Sequence, residues 1–204
     1  MKVLGISTSP RVQSNSDMLL RQALAGAESV GAETVHVRLS DYNIGPCLEC
    51  NTCYATGRCH VRDDYSQLLE KMLATDRLIF ATPVFFMSVC AQAKMLIDRG
   101  QCLWAYTYVL KKQLFSVERD RRAMVIAVGG SRSKKQFESV RLTMTSYFDA
   151  LQVHYVSNLF VSQIDSPGEI QEHPSALEEA HRLGEQLVTT DAPLPPKPID
   201  VMLT

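Results

Sequence analysis

The chain has 204 residues, 46% hydrophobic and 21% charged, and its 21 Lys and Arg against 22 Asp and Glu leave a net charge of −1. Those figures describe one ordinary globular domain with enough length for a sizeable core. They exclude disorder and general nucleic-acid binding, which needs a strong positive balance, and no apolar run approaches the roughly 18–20 residues that span a bilayer.

The start of the chain, MKVLGISTSPR, lacks the long apolar core and small-residue cleavage site of a signal peptide. A cytoplasmic protein is therefore expected. Residues 2–6 form a short apolar run before a Ser/Pro-rich turn. Ser16–Val30 has helical apolar spacing through Met18, Leu19, Ala23 and Ala27, with Ser16 as the expected N-cap. Thr34–Leu39 alternates Val with His and Arg, like a strand with one side partly exposed. A cysteine-rich loop follows, then a helix over Asp63–Leu73 capped by Asp63 or Asp64. Arg77–Ala81 reads as a buried strand, and Ser88–Arg99 as a helix. Residues 102–120 break the rhythm; they hold the only Trp, two Tyr and one Phe, and are candidates for a ligand or subunit surface. Ala123–Val128 is a near-continuous apolar strand, Ser133–Ala150 a long amphipathic helix, Val153–Val161 a strand and Ser175–Val188 a last helix.

Strands without period-2 polarity are covered on both faces. Five strands alternate with five helices, and their apolar runs predict a parallel α/β sheet with helices on each side. The single domain is expected over residues 1–188, with the cysteine loop at 47–59. Residues 189–204, TTDAPLPPKPIDVMLT, are expected as a Pro-rich tail, either solvated or packed on a neighbouring subunit through its apolar end.

In an open parallel sheet, ligands bind beyond the carboxyl ends of the strands. Three such ends carry unusual text. Ser7, Ser9, Arg11, Ser14, Asn15 and Ser16 supply hydroxyls, backbone N–H groups and a cation at a helix start, the parts of a phosphate cradle. The loop is neither GxxxxGK[ST] nor GxGxxG, and it reads equally as a polar turn with a capping serine. Pro83, Val84, Phe85 and Phe86 could pack on a flat heteroaromatic ring, or belong to the core. Gly129, Gly130 and Ser131 permit close backbone approach, or simply a tight turn.

Cys47, Cys50, Cys53 and Cys59 lie in CxxCxxCx5C. In a reducing compartment such clustering reads as metal or redox chemistry rather than disulfides. A cubane iron–sulfur cluster takes four thiolates, and so does zinc; on spacing alone these and a loop of free thiols all stay open. Cys90 and Cys102 read as small buried apolar side chains.

The order of STSPRVQSNS, the cysteine loop, ATPVFF, KMLIDR and VGGS resembles that of iron–sulfur flavoproteins, within the NADPH-dependent FMN-reductase-like, flavodoxin-like proteins. The resemblance covers roughly residues 1–188. It implies a doubly wound five-stranded sheet of order 2-1-3-4-5, FMN at its carboxyl edge, and homodimers or homotetramers. By position, Ser7, Ser9, Arg11, Ser14, Asn15 and Ser16 would hold the FMN phosphate. Pro83, Val84, Phe85 and Phe86 would flank the ring, and Gly129, Gly130 and Ser131 would close its other side. Cys47, Cys50, Cys53 and Cys59 would hold a [4Fe–4S] cluster near a subunit interface. Phe85 stands where the family often has Tyr. The implied activity is electron transfer from a ferredoxin-like one-electron donor, through cluster and FMN, to a small-molecule acceptor. No general base is required, and none of the histidines forms a constellation. The competing readings are a cluster-free NAD(P)H-dependent FMN or quinone reductase, and a non-enzymatic flavin- or zinc-binding module.

Overall fold

A computed structural model describes residues 1–117 and 119–204. Within the aromatic stretch 102–120, Glu118 lies outside the described residues. The chain runs β1 (Lys2–Ser7), α1 (Asn15–Ser29), β2 (Glu33–Arg38), α2 (Cys53–Thr56), α3 (Tyr65–Ala74), β3 (Arg77–Phe85), β4 (Ser88–Val89), α4 (Ala91–Arg99), α5 (Gln101–Trp104), β5 (Arg122–Gly129), α6 (Glu138–Ala150), β6 (His154–Ser162), α7 (Ala176–Thr189) and β7 (Ile199–Leu203). A π-helical turn, Ala105–Val109, continues α5, and a 3₁₀ turn, Lys134–Phe137, leads into α6.

The main sheet has the order β2-β1-β3-β5-β6-β7, with every pair parallel. Its first five strands follow the expected 2-1-3-4-5 winding, so the α/β flavodoxin-like fold stands. The strand count does not: the sheet has seven strands rather than five. One addition is β4, which folds back antiparallel on the end of β3. That pairing delays the next helix from the expected Ser88 to Ala91. The other is β7. The prolines ahead of it forbid helix, but they stop at Pro198, and Ile199, Val201 and Leu203 then alternate along an edge strand. Residues 199–203 of the expected tail thus add to the sheet.

Each central strand sends alternate side chains to opposite faces. On β5, Ala123, Val125 and Ala127 enter the core under α3, α4 and α6, while Met124, Ile126 and Val128 enter the core under α1 and α7. Helices α1 and α7 approach backbone to backbone. A Cβ at Gly26 would stand 2.0 Å from the His181 carbonyl oxygen, and one at Gly184 1.9 Å from that of Ala23. Helix α1 is capped two residues earlier than expected. Ser14, not Ser16, is extended and accepts the Asp17 N–H at 3.3 Å; Ser16 already lies inside the helix.

Candidate functional site

The carboxyl edge of the sheet carries a cleft lined by Ser9, Arg11, Ser14, Asn15 and Ser16, by Pro83, Val84 and Phe85, and by Val128, Gly129, Gly130, Ile164 and Asp165. The loop after β1 is pinned at its base, where the Thr8 N–H donates to the Ala81 carbonyl at 2.9 Å. Ser14 caps α1, which leaves the Asn15 and Ser16 N–H groups without intrahelical acceptors. Those N–H groups, the positive end of the helix dipole and the exposed Arg11 together offer donors and positive potential to an anion. Asn15 ties the cradle to the loop after β6: its Nδ2 donates to the Ser166 carbonyl at 2.9 Å, and its Oδ1 accepts from the Ile170 N–H at 3.3 Å. Arg11 donates to the Asp165 carbonyl at 3.3 Å across the same gap.

The opposite wall is the end of β5. A Cβ at Gly129 would fall 2.1 Å from Gln136 Oε1 and 3.1 Å from Val84 Cβ, so a larger residue there would have to displace the Gln136 side chain. Gln136 is buried and its Nε2 holds the Ser131 carbonyl at 2.7 Å.

Of the thirteen residues expected to hold the ligand, ten line this cleft and three do not. Ser7 is buried beneath the cradle, where it hydrogen-bonds Asp17. Ser131 points away, its hydroxyl accepting the Ser133 N–H. Phe86 stands fully in solvent. It and Met87 form the two-residue turn between β3 and β4, with φ of 47° and 65°. That turn carries the ring off the cleft and leaves Phe85 alone beside it. Sequence reading did not find Val128, Ile164 or Asp165, which reach the cleft only through the topology.

The second cluster is the loop between residues 45 and 62. Glu49, Asn51 and Gly57 take left-handed backbone angles that coil it tightly. Cys47, Cys50, Cys53 and Cys59 line one cavity together with Arg99 and Cys102. Among the described residues, no three His, Cys, Asp or Glu side chains converge closely enough as they stand to form a metal site. Cys50 is exposed, 3.3 Å from His60 Nδ1, and the Thr52 N–H and hydroxyl pull its thiol pKa below the usual range. Burial pushes the Cys53 and Cys102 thiols up. Cys102 is buried, as its sequence context suggested, but at this cavity rather than remote from it. The aromatic stretch 102–120 packs beside the loop: Trp104 lies 6.1 Å from the Tyr54 ring and 5.8 Å from that of Tyr108.

The NADPH-dependent FMN reductase family model matches residues 1–165. An iron-sulfur flavoprotein of Methanocaldococcus jannaschii is 32% identical over 199 residues, covering 92% of this chain and 95% of that one. An iron-sulfur flavoprotein of Methanosarcina thermophila is 33% identical over 154 residues, covering 76% and 74%. Among solved structures, an NAD(P)H:quinone oxidoreductase from Methanothermobacter marburgensis shares the fold, with a TM-score of 0.67 at 17% identity, covering 94% of this chain and 99% of that one. The cleft at the carboxyl edge, the order of its loops and these matches place the chain in the NADPH-dependent FMN reductase family, as an FMN-dependent oxidoreductase.

Proposed function

We propose that the protein moves electrons between a one-electron donor of ferredoxin type and a small-molecule acceptor, using FMN in the carboxyl-edge cleft and a [4Fe–4S] cluster on the cysteine loop. When bound, FMN supplies one- or two-electron chemistry and a cubane supplies single electrons. The chain's own residues do the holding. The first turn of α1 with Arg11, Ser14, Asn15 and Ser16 would bind the FMN phosphate. Pro83, Val84 and Phe85 would flank one side of the ring, and the bare backbone of Gly129 and Gly130 the other.

The observation that carries the cluster is the company of the four loop cysteines: they share their cavity with the buried guanidinium of Arg99. Its Nε–H is buried with no acceptor among the described residues, and thiolate sulfurs are acceptors. The donor set fits a cubane in number and in chemistry. Six free thiols suit a cytoplasmic, reducing compartment, and no described helix is long and apolar enough to cross a membrane. A homodimer or homotetramer completes the proposal, the exposed Phe86 and Trp104 being candidate contacts.

The second reading, a cluster-free NAD(P)H-dependent reductase, is favoured by the lack of converged ligands among the described residues. Iron, acid-labile sulfide and flavin measured per chain on anaerobically purified protein separate the two. About four irons and four sulfides with one FMN supports the cluster. Full flavin without iron, with steady NADPH oxidation, replaces it by the simple reductase. Zinc with no turnover leaves neither.

A further inference from the structure

The neck of the cysteine loop is closed by one buried ion pair. Arg99 Nη1 and Nη2 meet the Asp63 carboxylate at 2.6 and 3.1 Å, with the Arg99 side chain wholly buried and that of Asp63 8% exposed. The same guanidinium donates to the Gly45 carbonyl at 3.0 Å and, more weakly, to the Val61 carbonyl at 3.5 Å. Asp63 in turn accepts the Gly45 N–H at 3.0 Å and the Tyr65 N–H at 3.1 Å. Both ends of the loop are therefore tied to one cation and its carboxylate. The Tyr65 ring covers the guanidinium at 4.6 Å. A side chain held on so many sides cannot swing away, and a planar fork is the only side chain that serves these acceptors together. Nε is the exception: it is buried, has no acceptor among the described residues, and belongs to a guanidinium that lines the thiol cavity with Cys59.

We propose that Arg99 is a positioning residue for the cysteine site: with Asp63 it clasps the two ends of the cysteine loop together, and it presents a buried positive charge to whatever anionic sulfur centre the loop holds. The clasp follows from the chain's own contacts. The charge effect rests on the iron–sulfur reading given above. A cation beside the sulfurs stabilises the more negative, reduced state of a bound centre. Removing Arg99 lowers the reduction potential; neutralising Asp63 leaves the cation less compensated and raises it.

The test uses the full chain carrying Arg99→Met, Arg99→Lys and Asp63→Asn. FMN affinity and far-UV dichroism report folding away from the loop. On iron-free protein, the rate of thiol reaction with an aromatic disulfide reports the clasp. Arg99→Met is expected to speed the loop thiols at least about tenfold while FMN affinity stays within about threefold, with Arg99→Lys in between. On protein reconstituted with ferrous iron and sulfide, Arg99→Lys and Asp63→Asn should hold iron, Asp63→Asn at a higher potential than the parent. Unchanged thiol rates in Arg99→Met overturn the clasp. Potentials that fail to move upward in Asp63→Asn overturn the charge effect. A parent protein that takes up no iron overturns the iron–sulfur reading and the charge effect with it, while the thiol rates still decide the clasp. Should Arg99→Met lose FMN as well, the decision passes to Arg99→Lys and Asp63→Asn, whose unaltered thiol rates would likewise overturn the clasp.

Discussion

Asn15→Asp separates the two jobs of the first residue of α1. The new carboxylate keeps an oxygen for the Ile170 N–H but loses the donor to the Ser166 carbonyl. That lost bond costs about 1 kcal/mol. A negative charge in the first helical turn returns about 0.3–1 kcal/mol through the dipole. Without ligand the variant should therefore unfold in urea within about 1 kcal/mol of the parent. FMN binding should change far more. A phosphate monoester carries roughly −1.5 to −2 charges at neutral pH. One unit-charge pair at 4 Å is worth about 1 kcal/mol in water and about 4 kcal/mol near a protein surface. The cleft is open, so a repulsion of about 2–3 kcal/mol is expected, or roughly 30- to 150-fold weaker FMN. Titration by flavin fluorescence, with urea melts of the flavin-free protein, measures both quantities. FMN affinity within threefold of the parent would remove the phosphate from this end of α1, whatever happened to stability.

Arg121→Met addresses the opposite edge of the sheet. The side chain is buried, donates to the carbonyls of Thr75, Leu151 and Met72 at 3.0, 2.7 and 2.5 Å, and stays charged at neutral pH although burial pulls its pKa down to about 10. Orphaning three acceptors should cost about 3–5 kcal/mol in urea denaturation; a loss below 1 kcal/mol would contradict the hydrogen-bond accounting. Asp17 tests pH dependence. Burial would raise its pKa, but hydrogen bonds from His36, Arg21 and Ser7 prevail and hold the carboxyl well below the usual range. Its stabilisation is thus complete above the unfolded pKa of about 3.9 and is lost as pH falls from there through the folded value. Asp17→Asn should be less stable at pH 7 and show a shallower acid slope between pH 4 and 2; an unaltered slope refutes the assignment. Deleting residues 199–204 removes the Asp200 bridges to Arg141 at 2.6 Å and Asn158 at 2.8 Å, with three half-buried apolar side chains. A loss of about 3 kcal/mol, or a melting temperature lower by about 6–12 °C, is expected from calorimetry; no change would mean that β7 adds nothing to the sheet.

The sheet was legible because β1, β3 and β5 are apolar runs and β2 alternates apolar with polar residues, and the helices because α1 and α7 repeat their apolar residues at helical spacing. What escaped was short or tertiary. Strand β4 has two residues, and its turn, Phe86-Met87, uses left-handed angles without the glycine or asparagine that would announce it. Strand β7 hides behind four prolines. The cradle serines, Arg11 and Gly129 were readable from residue type at strand ends. Arg99 was not, because its partners lie 36 and 54 residues away. KMLIDR entered only as part of a resemblance. Cys102 likewise stands 43 residues from Cys59, and no spacing rule links them.

The two edges of the sheet follow from one polarity. In a doubly wound sheet each helix runs back against its strand. Helix N-termini therefore collect at the carboxyl edge and helix C-termini at the amino edge. The amino edge fills with carbonyls, and buried arginines answer them. Arg121 takes the ends of α3 and α6, Arg77 the Leu187 carbonyl in the last turn of α7, and Arg122 the Thr190 carbonyl just after it. The carboxyl edge instead presents the N–H groups of α1, and among the described residues no acidic side chain hydrogen-bonds the Asn15 or Ser16 N–H: Asp165 lines the cleft without bonding to them, and Asp17 is turned inward to His36 and Arg21. Its own donors at the amino edge are satisfied internally, whereas those at the cleft are left for an anion from outside. On the proposed reading, the fold thus fixes where a phosphate would be held. On the same reading, what a bound flavin would exchange electrons with is left to the loops, and chiefly to the cysteine loop, whose two ends the Asp63–Arg99 pair ties together.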